Sequence, residues 1–301
     1  MTTRLYHFAV RANPPAIYLP LTLLWAAGLT GLLVVSAVPE HRWPHDAGVL
    51  VTAVTLFLAM LLLRALDDLR DLDYDRVHAP GRALPSGAVS VRDLVILASV
   101  GAVALLALNA GRGAGLLVLA VLLGYTAGLI TVNVRLHWPA TENLLLHLAL
   151  NLPIQVLLSL YVYVAFLQAN RLPLATTGLC ATAAVVLAFV HLEFARKATR
   201  APARAERTYV HHLGLGGTLA VASAAAVLAV GLASAAVRPW SVSSPAHGWG
   251  WLALAPLAVP VVAGWRFWRH QLPRWPAHGA LGFPLCAFAA FLAIGLLGQA
   301  P

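Results

Sequence analysis

The stretch Leu61-Leu62-Leu63-Arg64-Ala65-Leu66-Asp67-Asp68-Leu69-Arg70-Asp71-Leu72-Asp73-Tyr74-Asp75-Arg76 joins the end of a long apolar run to a dense alternation of acids and arginines. Residues 47–66 carry a single charge, Arg64, and about 20 such residues are what a helix needs to cross a bilayer. Five of the eleven acids of the 301-residue chain then fall between positions 67 and 75. If the helix continues, Asp67, Asp71 and Asp75 share one face at i, i+4, i+8, and Asp68 lies three residues before Asp71. Like charges so arranged repel, and close to a bilayer they cost still more. The arrangement calls for a cation among the carboxylates, and oxygen-only donors select a hard ion such as Mg2+.

Apolar runs of similar length recur from end to end, in a chain that is 60% hydrophobic and 10% charged. This composition predicts an all-α, polytopic membrane bundle forming one domain over 1–301, with no soluble core. The spans are placed at 16–38, 47–66, 93–110, 114–133, 142–168, 174–194, 214–237, 249–265 and 279–298. Eight is the alternative count, because Gly111-Arg112-Gly113 separates the third and fourth spans narrowly and the eighth is short. The first span is too long for the apolar core of a signal peptide and is followed by others, so it is read as a retained helix.

The formal charge of +9 does not point to nucleic acid. With nine spans and a cytoplasmic N-terminus, 16 of the 20 bases fall on the cytoplasmic side, leaving Arg42, Arg112, Arg171 and Arg238 opposite. That asymmetry is the positive-inside pattern and predicts N-in topology. Cys180 and Cys286 lie in apolar segments without a pairing pattern and read as packing residues.

The longest polar connections, 67–92 and 195–213, hold the candidate chemistry. In the first, carboxylates at helical spacing can bridge metal to diphosphate oxygens, while Arg64, Arg70, Arg76 and Arg82 neutralise the remaining charge. The competing reading is a solvated helix braced by Asp and Arg pairs. After it comes Pro80-Gly81-Arg82-Ala83-Leu84-Pro85-Ser86-Gly87.

These residues resemble the UbiA superfamily of intramembrane prenyltransferases. Its first signature, Asn-Asp-x-x-Asp-x-x-x-Asp followed by an Arg-Pro turn of small residues, is similar to Asp67-Asp68-x-x-Asp71-x-x-x-Asp75 and Arg82 through Gly87. Asp67 stands where the family has Asn, and the turn proline is displaced to Pro85. Thr208 through Gly214 is similar to the family's Thr-x-x-x-x-x-Gly. The resemblance covers essentially the whole chain. It implies a nine-helix bundle that binds a prenyl diphosphate through Mg2+ on Asp68, Asp71 and Asp75, with Glu193 as a further ligand and Asp67, Arg64, Arg70 and Arg82 beside the substrate.

The second family motif, Asp-x-x-x-Asp after the sixth helix, is replaced here by His191-Leu192-Glu193-Phe194-Ala195-Arg196-Lys197-Ala198-Thr199-Arg200, with Glu206 as the other nearby acid. Arg196, Lys197 and Arg200 can grip a diphosphate directly, because a fixed cation stabilises a departing anion. Alternatively these bases, with Arg204 and Arg207, only enforce orientation. Glu193 lies one turn inside the span end, where a carboxylate needs a cation or a polar cavity.

In the fifth span His147, Asn151 and Gln155 recur at i, i+4, i+8, so the stripe faces the bundle interior. It either lines an acceptor pocket, with His147 as proton acceptor and Pro153 opening the backbone, or holds helices together. Tyr125, Tyr161 and Tyr163 either line that cavity, where ring faces stabilise an allylic cation, or anchor the interface. His211 and His212 read as peripheral, Glu142 and Asn143 as helix-start residues, and Trp265, Trp268 and Trp275 with Arg266, Arg269 and Arg274 as an interfacial belt. No Walker loop, zinc signature, nucleophile elbow or CxxC motif occurs.

Three functions stand from sequence. The first is a Mg2+-dependent prenyltransferase acting on an aromatic or lipophilic acceptor. The second is a terpene cyclase on the same scaffold, in which the substrate's own double bond captures the cation. The third, from a different class, is a cation-coupled transporter, whose ion sites generally lie near the midplane rather than at one face.

Overall fold

A computed structural model of the chain describes residues 2–37, 43, 46–136, 138, 143–203 and 206–298. Arg42, Glu142 and Arg204, assigned above, lie outside the described residues. The described structure is helical: α1 (Thr2–Ala12), α2 (Pro15–Ala37), α3 (Asp46–Arg70), α4 (Leu72–His78), α5 (Val91–Leu108), α6 (Gly113–Leu136), α7 (Leu144–Asn170), α8 (Thr176–Ala195), α9 (Val210–Val237), a 3-10 helix (Trp249–Leu257), α10 (Ala258–Arg269) and α11 (Ala277–Leu297). Among the described residues the only β pairing is an isolated bridge between Thr199 and Arg274. Among the described residues nine spans are long and apolar enough to cross a membrane, and each coincides with an expected one to within a few residues. The protein is a multi-pass membrane protein.

Three local features depart from the expected pattern. The first turns of chain form α1, which is amphipathic and too short to span. The eighth span opens as the 3-10 helix, with Pro256 near its end withdrawing a backbone donor, before continuing as α10. The acidic segment is divided between α3 and α4 at Asp71. Even so, Asp71 N–H donates to Asp67 C=O (2.9 Å) and Asp75 N–H to Asp71 C=O (2.8 Å), so the i to i−4 register, and with it the acidic face, carries through.

The chain divides into two compact units, one of residues 1–23 and 50–161 and the other of 24–49 and 162–301. In the first unit, α5 and α6 turn Val95, Val100, Val103, Leu117 and Val121 outward. In water such exposure would be a liability; facing lipid it is the favourable arrangement. A polar cluster holds the helices of this unit together at the start of α3. Tyr161 Oη, wholly buried, lies 2.6 Å from Asn109 Oδ1 and 3.2 Å from Thr55 Oγ1, and accepts from Arg112 Nη1 at 3.1 Å. Arg112 Nη1 also donates to Thr52 Oγ1 (3.0 Å), and Asn109 Nδ2 to Thr55 Oγ1 (2.9 Å).

In the second unit, α8 packs along α9 and α11. Gly31 of α2 meets the backbone of α11 at Phe291 and Gly295 so closely that a Cβ there would collide with the Phe291 carbonyl. Trp25 is fully buried against Phe189, with ring centroids 4.6 Å apart. His191 ties three helices together, with Nδ1 2.9 Å from Ala222 C=O and its ring 4.6 Å from that of Phe283.

Candidate active site

In the first unit, each acid of the 67–75 cluster has an arginine partner. Asp67 and Asp71 share Arg70 (3.0 and 3.4 Å), Asp68 pairs with Arg64 at 2.9 Å, Asp73 with Arg76 at 2.9 Å, and Asp75 with Arg82 at 2.6 Å. Their surroundings differ sharply. The side chains of Asp68 and Asp75 are 7% and 4% exposed, whereas that of Asp73 is 89% exposed. Asp71 is 16% exposed and Asp67 47%, so the face predicted from spacing is sheltered at Asp71 and Asp75 and opens at Asp67, while Asp73 points away from it. Asp68 lies within electrostatic reach of Asp71, Asp75, Arg64 and Arg82, so these five groups form one charge cluster.

The turn after α4 brings Arg82 back onto that face. Arg82 N–H donates to Ala79 C=O (3.0 Å), Ser86 N–H to Arg82 C=O (3.0 Å), and Val89 N–H to Ala83 C=O (3.1 Å). Ser90 and Asp93 then close a capping box that starts α5. Burial alone would depress the Arg82 guanidinium's proton affinity, but the hydrogen bond and charge of Asp75 outweigh it and raise it above the ordinary value.

Along α7, His147 is buried, while Asn151 and Gln155 are half-buried. Gln155 Nε2 is nonetheless sequestered without a hydrogen-bond partner, as is the hydroxyl of fully buried Ser159, one turn further on. Ser159 extends the stripe to i+12 and was missed because a serine in a span carries little signal of its own. Tyr125 Oη donates to Leu150 C=O at 2.9 Å, in the turn before Pro153, where the missing amide donor loosens the backbone ladder. Tyr161 belongs to the polar cluster above. Tyr163 is buried, its hydroxyl within hydrogen-bonding distance of both Ala175 N–H (2.8 Å) and Ala175 C=O (3.1 Å).

In the second unit, Glu193 is the centre of a compact network. Arg196 grips Glu193 Oε2 through both Nε and Nη2, while Lys197 Nζ (2.6 Å) and Tyr209 Oη (3.0 Å) meet Oε1. The Tyr209 ring stacks on Phe194 at 4.2 Å and lies 5.0 Å from Lys197 Nζ. Burial, together with the Glu193 charge, pushes the Tyr209 hydroxyl well above the usual tyrosine range, so it stays protonated and donates. Tyr209 escaped the sequence reading because nothing in its neighbours marks it as a partner of a residue sixteen positions earlier. His211 and His212 are exposed.

Arg200, expected to grip the diphosphate, has another task. Its Nε donates to Leu272 C=O (3.0 Å) and Nη2 to Phe267 C=O (3.1 Å), and the guanidinium lies over the rings of Phe267 (4.3 Å) and Trp268 (4.6 Å). Arg200 N–H to Pro273 C=O (2.9 Å), Trp275 N–H to Ala198 C=O (3.0 Å) and an Arg274–Glu206 ion pair (3.0 Å) join the same two connections. Trp275 is accordingly buried against Phe267 rather than part of an exposed belt, while Trp265 and Trp268 are exposed.

Among the described residues, no three His, Cys, Asp or Glu side chains converge as a ready metal cage. The donor chemistry of the buried face still fits a hard divalent ion. Asp68, Asp71 and Asp75 offer only anionic oxygens, and Asp68 Oδ1, although ion-paired, is buried without a well-directed hydrogen bond.

No protein-family model and no curated protein matches the sequence. Solved structures match its fold. A UbiA homologue from Aeropyrum pernix K1 superposes with a TM-score of 0.62 at 18% identity, over 92% of this chain and 96% of its own. A UbiA homologue from Archaeoglobus fulgidus, solved with geranyl diphosphate (GPP) and Mg2+, superposes at 0.63 and 16% identity, over 97% and 99%. The chain has the UbiA fold. A digeranylgeranylglyceryl phosphate synthase shares the UbiA fold with it more distantly, at a TM-score of 0.51 and 14% identity.

Proposed function

We propose that the protein is an intramembrane prenyltransferase of the UbiA superfamily, which takes an allylic prenyl diphosphate and transfers its prenyl group to an aromatic or other lipophilic acceptor. One observation carries this reading: a buried face of Asp68, Asp71 and Asp75, balanced by Arg64, Arg70 and Arg82, at the end of a membrane span within the UbiA fold. The A. fulgidus homologue bound to GPP and Mg2+ supports the substrate class and the metal.

In this reading Asp68, Asp71 and Asp75 would hold Mg2+, which would supply positive charge to the leaving diphosphate. Arg64 and Arg82 exchange their carboxylate partners for phosphate oxygens, an exchange that guanidinium geometry favours, and Arg70 exchanges Asp71 while Asp67 keeps it aimed at that face. The C–O bond of the allylic diphosphate breaks with both electrons leaving on oxygen. A nucleophilic carbon or oxygen of the acceptor then bonds to the allylic carbon and gives up its proton. In this reading His147 accepts that proton, and Asn151 and Gln155 orient the acceptor. The unpartnered Gln155 amide is the donor best suited to an acceptor oxygen. Tyr125 supports the α7 backbone beneath them. Within the second connection Arg196 and Lys197 are the cations whose chemistry suits phosphate, ordered by Glu193. We assign Glu193 that task ahead of metal binding because both of its oxygens are already engaged.

An acid so fully engaged, where the family has a second acidic motif, also favours a second reading, a cyclase in which the substrate's own double bond captures the cation. The test is Mg2+-dependent diphosphate release from geranyl, farnesyl and geranylgeranyl diphosphates, with and without acceptors. Release requiring an acceptor supports the transferase; release alone with a cyclic product supports the cyclase. Silence with a broad acceptor panel, alongside cation flux in proteoliposomes, would replace both with transport.

A further inference from the structure

Helix α1 contributes Phe8 to an apolar cluster shared with the segment that carries the acids and Arg82. Phe8 is 2% exposed, and its neighbours in one apolar cluster are Ala65, Leu84, Val89 and Leu94, with Ala12, Leu69, Leu72, Ala83 and Leu97 around them. Each of these has a place relative to the site. Ala65, Leu69 and Leu72 recur at i, i+4, i+7 on the face of α3 and α4 adjoining the acids. Ala83 and Leu84 follow Arg82 directly, and Val89 closes the turn by donating to Ala83 C=O. Leu94 follows Asp93, the capping residue that ends the turn, and Arg4 lies within electrostatic reach of Asp93. Helix α1 therefore packs on α5 and shares one core with the acid-bearing helix and the arginine turn.

The other faces of α1 suit a bilayer surface. Leu5, Phe8, Ala9 and Ala12 form the inner face, Arg4, His7 and Arg11 a basic one, and Tyr6 and Val10, 65% and 37% exposed, an outward apolar one. A helix lying in the interface is held by lipid on one side and can brace what it packs against on the other.

We propose that Phe8 is a positioning residue: through it, α1 fixes the Arg82 turn against the acidic face in the arrangement that binds diphosphate. This rests on the function proposed above, but the brace itself can be measured without it. Truncating a fully buried ring leaves a void that the turn relaxes into, so Phe8→Ala loosens residues 82–89 without unfolding the spans.

The experiment uses the full chain in lipid nanodiscs, comparing wild type, Phe8→Ala and Phe8→Leu by amide hydrogen exchange and by steady-state kinetics. In Phe8→Ala, exchange at 82–89 rises about tenfold and KM for the prenyl diphosphate rises about tenfold, while kcat changes less than about threefold; Phe8→Leu restores both to within about twofold. Leu84→Ala removes the same contact from the other side and reproduces the pattern, which covers the case of a Phe8→Ala chain that does not fold. Unchanged exchange at 82–89 in folded Phe8→Ala overturns the proposal, as does raised exchange with an unmoved KM. If wild type neither binds nor turns over a prenyl diphosphate, the proposed function fails, and the exchange result alone decides whether Phe8 braces the turn.

Discussion

Asp73 and Asp75 are two residues apart and live in different worlds, one almost fully exposed on Arg76 and the other buried on Arg82. Alanine at 71 or 75 should lower Mg2+-dependent turnover by about 100-fold or more in protein that remains folded in detergent, whereas Asp73→Ala should stay within about threefold. Comparable losses at all three positions would sink the assignment of the buried face. Lys197 adds a pH dependence. Burial lowers its proton affinity and the Glu193 charge restores only part of it, so the ammonium deprotonates below the ordinary lysine value of 10.5. The profile of kcat/KM should therefore fall on its alkaline side before that value, and Lys197→Arg, which cannot lose its charge there, should move the fall upward. An alkaline limb unchanged in Lys197→Arg would show that another group titrates. The acids were legible in the sequence because charge is conspicuous beside an apolar span and helical spacing sorts it by face. Tyr209 and the clamp made by Arg200 were not, because each depends on a partner far along the chain that no local pattern announces.

The spans themselves were readable because bilayer thickness imposes their length and lipid imposes their composition. What escaped was the structure that lipid does not dictate: α1, the 3-10 opening of the eighth span, and the kink that begins α9. Gly214 sits at that kink with φ 68° and ψ 171°, a conformation open essentially to glycine alone. Gly214→Ala should destabilise the protein by about 1–3 kcal/mol, seen as a lower unfolding temperature in detergent. An unchanged unfolding temperature would mean that the helix start tolerates another path. Thr218 Oγ1 donates to Gly214 C=O at 2.8 Å, so the residue that breaks the ladder is also tied into the first turn after it.

At the scale of the whole chain, the distribution of bases predicts an orientation that labelling can check. In a cysteine-free background, Ser86→Cys in intact cells should react with an impermeant thiol reagent only after permeabilisation, and Ser243→Cys without it. The reverse pattern would invert the topology. Length, span count and polar connections were all legible at this scale, because they follow from hydropathy and charge; the division into two compact units was not, since it depends on which spans pack on which. Within the first unit, α3 is tied differently at its two ends. Near its start, Thr52 and Thr55 belong to a cluster in which neutral groups hold Arg112, while about 20 Å along the helix every partner of an acid is an arginine, the group that the proposed diphosphate would claim. The unit is built like a pair of tweezers, sprung at one end and free to change its grip at the other. Salt should loosen the jaws and leave the spring alone.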